Sequence, residues 1–226
     1  MLRIAVLNKI SRDILKDQFH NFEEVSLEKQ PDLVFVRSHD LTKTDLPKSV
    51  IAIGRAGVGV DNIPIDQCNQ KGIAVFNAPG ANANAVKELV LFGLLAAARP
   101  AMEASFAIHS ELVMNEEDQK KIDVESIKSD FVGSELAGKS IFVIGLGKIG
   151  RAVAEMCVNL GMRVTGYDPF VKWQNLLDEG IELHINIADE IKNGLKMADY
   201  VTLHSALTSE TTGMVNSEFL NQMKRG

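Results

Sequence analysis

The run Ser140-Ile141-Phe142-Val143-Ile144, followed at once by Gly145-Leu146-Gly147-Lys148-Ile149-Gly150, constrains this chain more than any other feature. A short β-branched apolar run reads as a strand buried on both faces. The glycines then sit where a strand must turn sharply into a helix. Gly145 permits the tight turn, Gly147 lets backbone approach a pyrophosphate, and Gly150 lets helix and strand pack closely. A helical pattern runs from Arg151 to Leu160 and stops at Gly161, and a second strand, Arg163 to Tyr167, delivers Asp168. A lone G-x-G-x-x-G is weak evidence, because glycine turns without a ligand are common. Here strand, helix and acidic residue all fall where a dinucleotide site requires them. The N–H groups at the helix start then face the anion, with the helix dipole aligned in its favour. A carboxylate at Asp168 accepts from ribose hydroxyls and repels a 2′-phosphate, so the expected cofactor is NAD; Lys172 is the nearby cation that favours NADP.

The rest of the chain supports a parallel sheet. Apolar runs Leu33–Val36, Val50–Ile53 and Ile73–Phe76 alternate with helical patterns Ser11–Phe19 and Pro64–Lys71, and a long helix is expected from Asn84 to Ala98. Apolar strands separated by helices imply an α/β fold covered on both faces. The 226 residues, 46% hydrophobic and 24% charged, suffice for one large or two small domains. Leu89–Ala98 is too short to cross a bilayer and reads as a buried helix, and the N-terminal strand Leu2–Leu7 lacks the pattern of a signal peptide; no membrane partner and a cytoplasmic place are expected. A net charge of −6 argues against nucleic acid as a partner. Cys68 and Cys157 read as buried thiols, not as a disulfide or metal pair, and no metal is expected. Glu111 to Asp130, crowded with both signs of charge, reads either as a solvated connector or as an arm packing on a second subunit, which would make the protein a homodimer or higher oligomer.

Five blocks carry a resemblance. Gly145–Gly150, Tyr167-Asp168-Pro169 and Ala198-Asp199-Tyr200-Val201-Thr202-Leu203-His204 are similar to the D-isomer-specific 2-hydroxyacid dehydrogenases. Gly54-Arg55-Ala56-Gly57-Val58-Gly59-Val60-Asp61-Asn62 and the run from Asn77 to Leu89 resemble those members that act on 3-phosphoglycerate in serine biosynthesis. The resemblance implies two parallel-sheet domains, one flavodoxin-like and one Rossmann-like: a substrate-binding domain over 1–98 and an NAD-binding domain over 99–226, the second incomplete, with the active site between them. It implies oxidation of D-3-phosphoglycerate to 3-phosphohydroxypyruvate with NAD. Glyoxylate, hydroxypyruvate or another 2-hydroxy acid is the alternative substrate, and a non-catalytic NAD-sensing protein the alternative of a different class.

The resemblance also assigns roles. The backbone at Gly57 and Val58 meets the substrate carboxylate, and Arg55 and Arg37 offer positive charge to carboxylate or phosphate. A guanidinium grips such oxyanions bidentately. Arg55 also fits a domain-edge salt bridge, and Arg37 any strand-end arginine. Asn82 either sits near substrate and nicotinamide or caps the long helix. Gly145, Gly147, Lys148, Ile149 and Gly150 hold the pyrophosphate, while His204, Ser205 and Thr211 line the adenosine and ribose edge. Ala206 stands where many members carry proline, which loosens that loop. The family's catalytic arginine, glutamate and histidine are expected beyond Gly226, as is the next strand of the nucleotide sheet, so the 226 residues alone are expected to lack turnover. His204 belongs to the cofactor loop and not to the proton relay; His20, His39, His109 and His184 read as surface or packing residues.

Overall fold

The computed structural model describes residues 1–8, 10–114, 124–171 and 184–225, in two compact units, Met1–Asn82 and Ala83–Gly226. The first unit is built from β1 (Leu2–Leu7), α1 (Arg12–Gln18), β2 (Phe22–Glu24), β3 (Leu33–Val36), β4 (Ala52–Arg55), α2 (Ile65–Lys71) and β5 (Ala74–Asn77). Its sheet runs β2-β1-β3-β4-β5, and every pairing is parallel. That is the flavodoxin-type order. Ala5, Val34, Val36 and Ile53 form the core with Leu41, Leu46, Val50, Ile63 and Cys68. The strand expected at Val50–Ile53 starts two residues later, because the Val50 amide closes a turn on the Pro47 carbonyl and pairing with β3 begins at Ala52.

The second unit carries α3 (Ala83–Ala98), α4 (Ala101–Met114), α5 (Val124–Ser129), β6 (Ser140–Ile144), α6 (Lys148–Asn159), β7 (Arg163–Tyr167), β8 (Asn186–Ile187), α7 (Ile191–Met197), β9 (Tyr200–Leu203) and α8 (Ser217–Asn221). The parallel sheet runs β8-β7-β6-β9. Counted from β6, this is the 3-2-1-4 portion of the dinucleotide-binding order. The alternation of β6 sorts its side chains: Ile141 and Val143 pack with Val153, Ala154 and Cys157 of α6, while Phe142 and Ile144 pack with Leu195, Ala198 and Phe219. The strand is covered on both faces, as its unbroken apolar character requires.

Two expectations change. The helix Ala83–Ala98 packs with the second unit, through Leu94 and Ala98 against the core of Leu136 and Ile141, so the division falls at Asn82/Ala83 and not at 98/99. Nor is this helix buried: Leu89, Phe92 and Leu95 are 67%, 56% and 45% exposed. Only the i, i+4, i+8 stripe of Val90, Leu94 and Ala98 reaches the core, and an apolar run does not reveal which face does so. Among the described residues no single helix is long and apolar enough to cross a membrane; Ala83–Ala98 and Ala101–Ser110 pass together only as a pair bent by 65°. Cys68 and Cys157 are buried and free, and burial pushes the Cys157 thiol up to about 11. The charged run Glu116–Lys121 and Lys172 lie outside the described residues.

Candidate functional site

In the second unit the glycine loop joins β6 to α6. Gly145 has φ +91, a conformation open to glycine, and its amide donates to the Tyr167 carbonyl. A Cβ on Gly145 would stand 2.6 Å from the Ser205 amide nitrogen and 2.7 Å from the His204 carbonyl carbon, so the loop after β9 lies directly against it. A Cβ on Gly150 would stand 1.8 Å from the Gly145 carbonyl oxygen, so helix and turn touch backbone to backbone. Gly147 is different. It is the N-cap of α6, it is exposed, and a Cβ there would meet nothing within 4 Å. α6 starts at Lys148, not Arg151, so the last three residues of the motif form its first turn; no side chain caps it and no acid stands there. An open space over a helix start without its own counter-charge suits a pyrophosphate.

Asp168, half-buried at the end of β7, is tied into this loop. Its Oδ2 accepts from the Leu146 amide at 2.8 Å and its Oδ1 from the Phe170 amide at 2.9 Å. Each carboxylate oxygen accepts more than one hydrogen bond, so capacity remains for ribose hydroxyls. The Leu146–Asp168 bond spans 22 residues, and the glycine spacing carried no hint of it. The residues present fit a dinucleotide.

β9 leads into the facing loop. His204 is half-buried; its amide donates to the Ile144 carbonyl and its Nε2 lies 2.9 Å from Thr202 Oγ1. Burial lowers its pKa, holding the ring neutral at pH 7. The Thr211 hydroxyl is engaged within the loop, donating to the Ala206 carbonyl at 2.6 Å and accepting from the Thr208 amide at 2.8 Å. His20, His39, His109 and His184 are all exposed.

The first unit gathers Arg37, Arg55 and Asn77 at the carboxyl edge of its sheet. Val36, Arg55 and Asn77 are level across β3, β4 and β5, and Arg37 follows Val36 directly. The Arg55–Val58 turn is strapped on both sides: Ala56 N–H donates to the Val36 carbonyl, Ala78 N–H to the Gly57 carbonyl at 2.9 Å, and Asn77 Nδ2 to the Val58 carbonyl at 2.7 Å. A Cβ on Gly57 would fall 1.8 Å from an Arg55 guanidinium nitrogen, so that side chain folds over the loop into the space glycine leaves. Among the described residues Arg55 Nε is buried without a hydrogen-bond partner, and an unmatched buried donor favours an incoming acceptor. The Gly57 amide donates back to the Arg55 carbonyl at 2.9 Å, which takes it out of the expected amide pair and leaves Val58 as the more open donor. Arg37 is exposed, and Asn82 is exposed immediately before α3.

Two asparagines that had drawn no separate notice hold the loop bearing Arg37. Asn8, at φ +71, accepts at Oδ1 from the Ser38 amide at 3.0 Å and the His39 amide at 2.5 Å; Asn62 Nδ2 donates to the His39 carbonyl at 2.7 Å. An asparagine directly after a strand is a signal for such a left-handed corner.

Comparison with known proteins bears on the family of the chain. The family model "D-isomer specific 2-hydroxyacid dehydrogenase, NAD binding domain" matches residues 102–226. The D-3-phosphoglycerate dehydrogenase of Methanocaldococcus jannaschii is 38% identical over 87% of this chain and 35% of its own length. The hydroxypyruvate reductase of Thermotoga maritima is 31% identical over 98% of this chain and 66% of its own length. The NAD+-bound 3-phosphoglycerate dehydrogenase structure from Entamoeba histolytica superposes with a TM-score of 0.72 at 26% identity, over 99% of this chain and 68% of that one. The chain therefore spans about a third of the phosphoglycerate dehydrogenase from M. jannaschii. A glycine loop open at Gly147, an acid closing β7, a 3-2-1-4 sheet and a match over more than half the chain converge: the chain belongs to the D-isomer-specific 2-hydroxyacid dehydrogenase family, and its second unit is that family's NAD-binding domain.

Proposed function

We propose that this chain serves the NAD-dependent oxidation of D-3-phosphoglycerate to 3-phosphohydroxypyruvate, an entry step to serine. The observation that carries this reading is Arg55, a guanidinium with a buried, unmatched Nε beside the Gly57–Val58 turn. All 2-hydroxy acids share a carboxylate beside the hydroxyl; a phosphate at the far end needs a further cation, which Arg55 and Arg37 supply. In this reading the first unit binds substrate through Arg37, Arg55, the Val58 amide and Asn82. Gly145, Gly147, Lys148, Ile149 and Gly150 seat the pyrophosphate, Asp168 takes the ribose hydroxyls, and His204 and Ser205 border the adenosine side. Bound NAD supplies the hydride acceptor. The chain's own residues orient it, exclude NADP at Asp168, and hold the substrate anion.

A second reading, reduction of hydroxypyruvate, draws support from the T. maritima relative, which this chain matches over more of that protein's length. The discriminating experiment measures kcat/KM for 3-phosphoglycerate, glycerate and hydroxypyruvate in a complete enzyme that carries the family's acid/base residues, as wild type and as Arg55→Ala. Loss of one to two powers of ten for 3-phosphoglycerate, with glycerate much less affected, is expected for a phosphate contact worth about 1.5–3 kcal/mol. Equal losses would assign Arg55 to the shared carboxylate and remove the case for a phosphorylated substrate. NAD binding by that complete enzyme with no turnover of any of the three would favour a sensor.

The protein is further proposed to be a homodimer. Leu89 and Phe92 of α3 and Met102 and Phe106 of α4 expose 56–74% of their surface, an apolar load that a second copy would cover.

A further inference from the structure

The loop that follows β9 has no helix or strand from His204 to Asn216, and Ala206 to Glu210 are all exposed. It is nevertheless closed by a compact set of bonds centred on one hydroxyl. Thr211 Oγ1 donates to the Ala206 carbonyl at 2.6 Å and accepts from the Thr208 amide at 2.8 Å. The Thr211 amide reaches Thr208 Oγ1 at 3.3 Å. Thr212 then closes on the Thr208 carbonyl from both its amide, at 2.9 Å, and its hydroxyl, at 2.6 Å. A hydroxyl has one proton to give. Thr211 has given it to Ala206, so it has none to offer a ligand.

This loop is not remote from the dinucleotide site. Its first residues, His204 and Ser205, are the backbone against which Gly145 packs. A shift of Ala206 is transmitted through one residue to the surface that forms a wall of the glycine turn. Between Ala206 and Glu210 no apolar side chain is buried: Leu207 is 72% exposed, and the nearest apolar anchor is Met214, which packs on the core of Phe142 and Leu195 beyond Thr211. What fixes Ala206 is therefore the Thr211 hydroxyl. A proline at 206 would achieve similar order by another route, restricting φ in the chain itself. The Ala206 amide donates no hydrogen bond among the described residues, so a proline there costs no bond.

We propose that Thr211 is a positioning residue: its hydroxyl tethers Ala206 and thereby holds the His204–Ser205 backbone in register with the glycine turn, in place of backbone restriction at position 206. The proposal rests on the reading that this unit binds NAD, and the test separates the two. Calorimetric titration of the whole protein with NAD compares wild type, Thr211→Val, Thr211→Ser, Ala206→Pro and the double variant Thr211→Val/Ala206→Pro. Thr211→Val keeps the shape and removes the hydroxyl, and should weaken NAD about tenfold, the loss expected when two hydrogen bonds to one hydroxyl disappear. Thr211→Ser and Ala206→Pro should stay within about twofold of wild type, and proline in the Thr211→Val background should recover most of the loss, since it restores order without the hydroxyl. In the absence of NAD, amide hydrogen exchange at 206–212 should accelerate in Thr211→Val and slow again in the double variant. Wild-type affinity in Thr211→Val overturns the proposal. So does a loss in Thr211→Ser equal to that in Thr211→Val, or a double variant no better than the single one in either measurement. Wild type that binds no NAD overturns the reading of the domain instead, while the exchange data still decide the tether.

Discussion

Asp168 and His204 stand on opposite sides of the glycine turn and are held by different means, which gives each its own test. The Asp168 carboxylate receives two backbone amides, from Leu146 and Phe170, before any ligand arrives. Removing it costs both the ribose acceptor and the anchor of the turn. Asp168→Ala should weaken NAD at least tenfold and shrink the preference over NADP, measured by calorimetry with both cofactors. Equal affinities for the two in unmutated protein would contradict the assignment. His204 tests electrostatics. Its pKa is depressed by burial, so the unfolded chain takes up a proton at a higher pH than the folded one. The neutral ring's contribution is complete above about pH 6.5, the unfolded value, and is lost as pH falls through it toward the lower folded value. The melting temperature of wild type should therefore drop more between pH 7.5 and 5.5 than that of His204→Gln, which has no such titration; parallel curves would show that the ring is not desolvated.

At the scale of elements, the three motif glycines divide into those the fold needs and one that a ligand needs. Gly150→Ala drives a methyl to 1.8 Å from the Gly145 carbonyl oxygen, which neither helix nor turn can give way to cheaply. It should lower stability of the second unit by about 1–3 kcal/mol or more, read as a shifted urea midpoint. Gly147→Ala meets open space and should unfold at the wild-type midpoint while losing NAD affinity. Normal NAD binding by Gly147→Ala would mean that the pyrophosphate does not approach this backbone. The glycine spacing was legible in sequence because each requirement is local to a single turn. The parallel α/β character was legible because strands buried on both faces must be apolar throughout. What escaped lay in the third dimension. The Leu146–Asp168 bond joins residues 22 apart, the Arg55 guanidinium over Gly57 depends on a side-chain path, and the exposed half of α3 looks identical in composition to its buried stripe. The packing of the helix Ala83–Ala98 with the second compact unit is hidden for the same reason: apolar content says that a helix packs, not on what.

For the whole molecule, the two units each close a core of their own, one around Ile53 and Val34, the other on both faces of β6. The apolar surface of α3 and α4 predicts association in solution. Phe106→Glu, combined with Phe92→Glu, should lower the sedimentation mass from dimer toward monomer while leaving NAD affinity within about twofold, because neither side chain touches the glycine loop. An unchanged mass would move the interface elsewhere. The cysteines add a consequence of a different kind. Cys68 lies in the core of the first unit and Cys157 in that of the second, both buried and unpaired, and the latter has its thiol pushed up to about 11. A sheltered protonated thiol reacts with alkylating reagents only when its surroundings open. Each half of the protein thus carries a single built-in clock: the labelling rate at Cys68 times the breathing of one unit, that at Cys157 the breathing of the other, and a nucleotide seated on the glycine turn should slow the second clock alone.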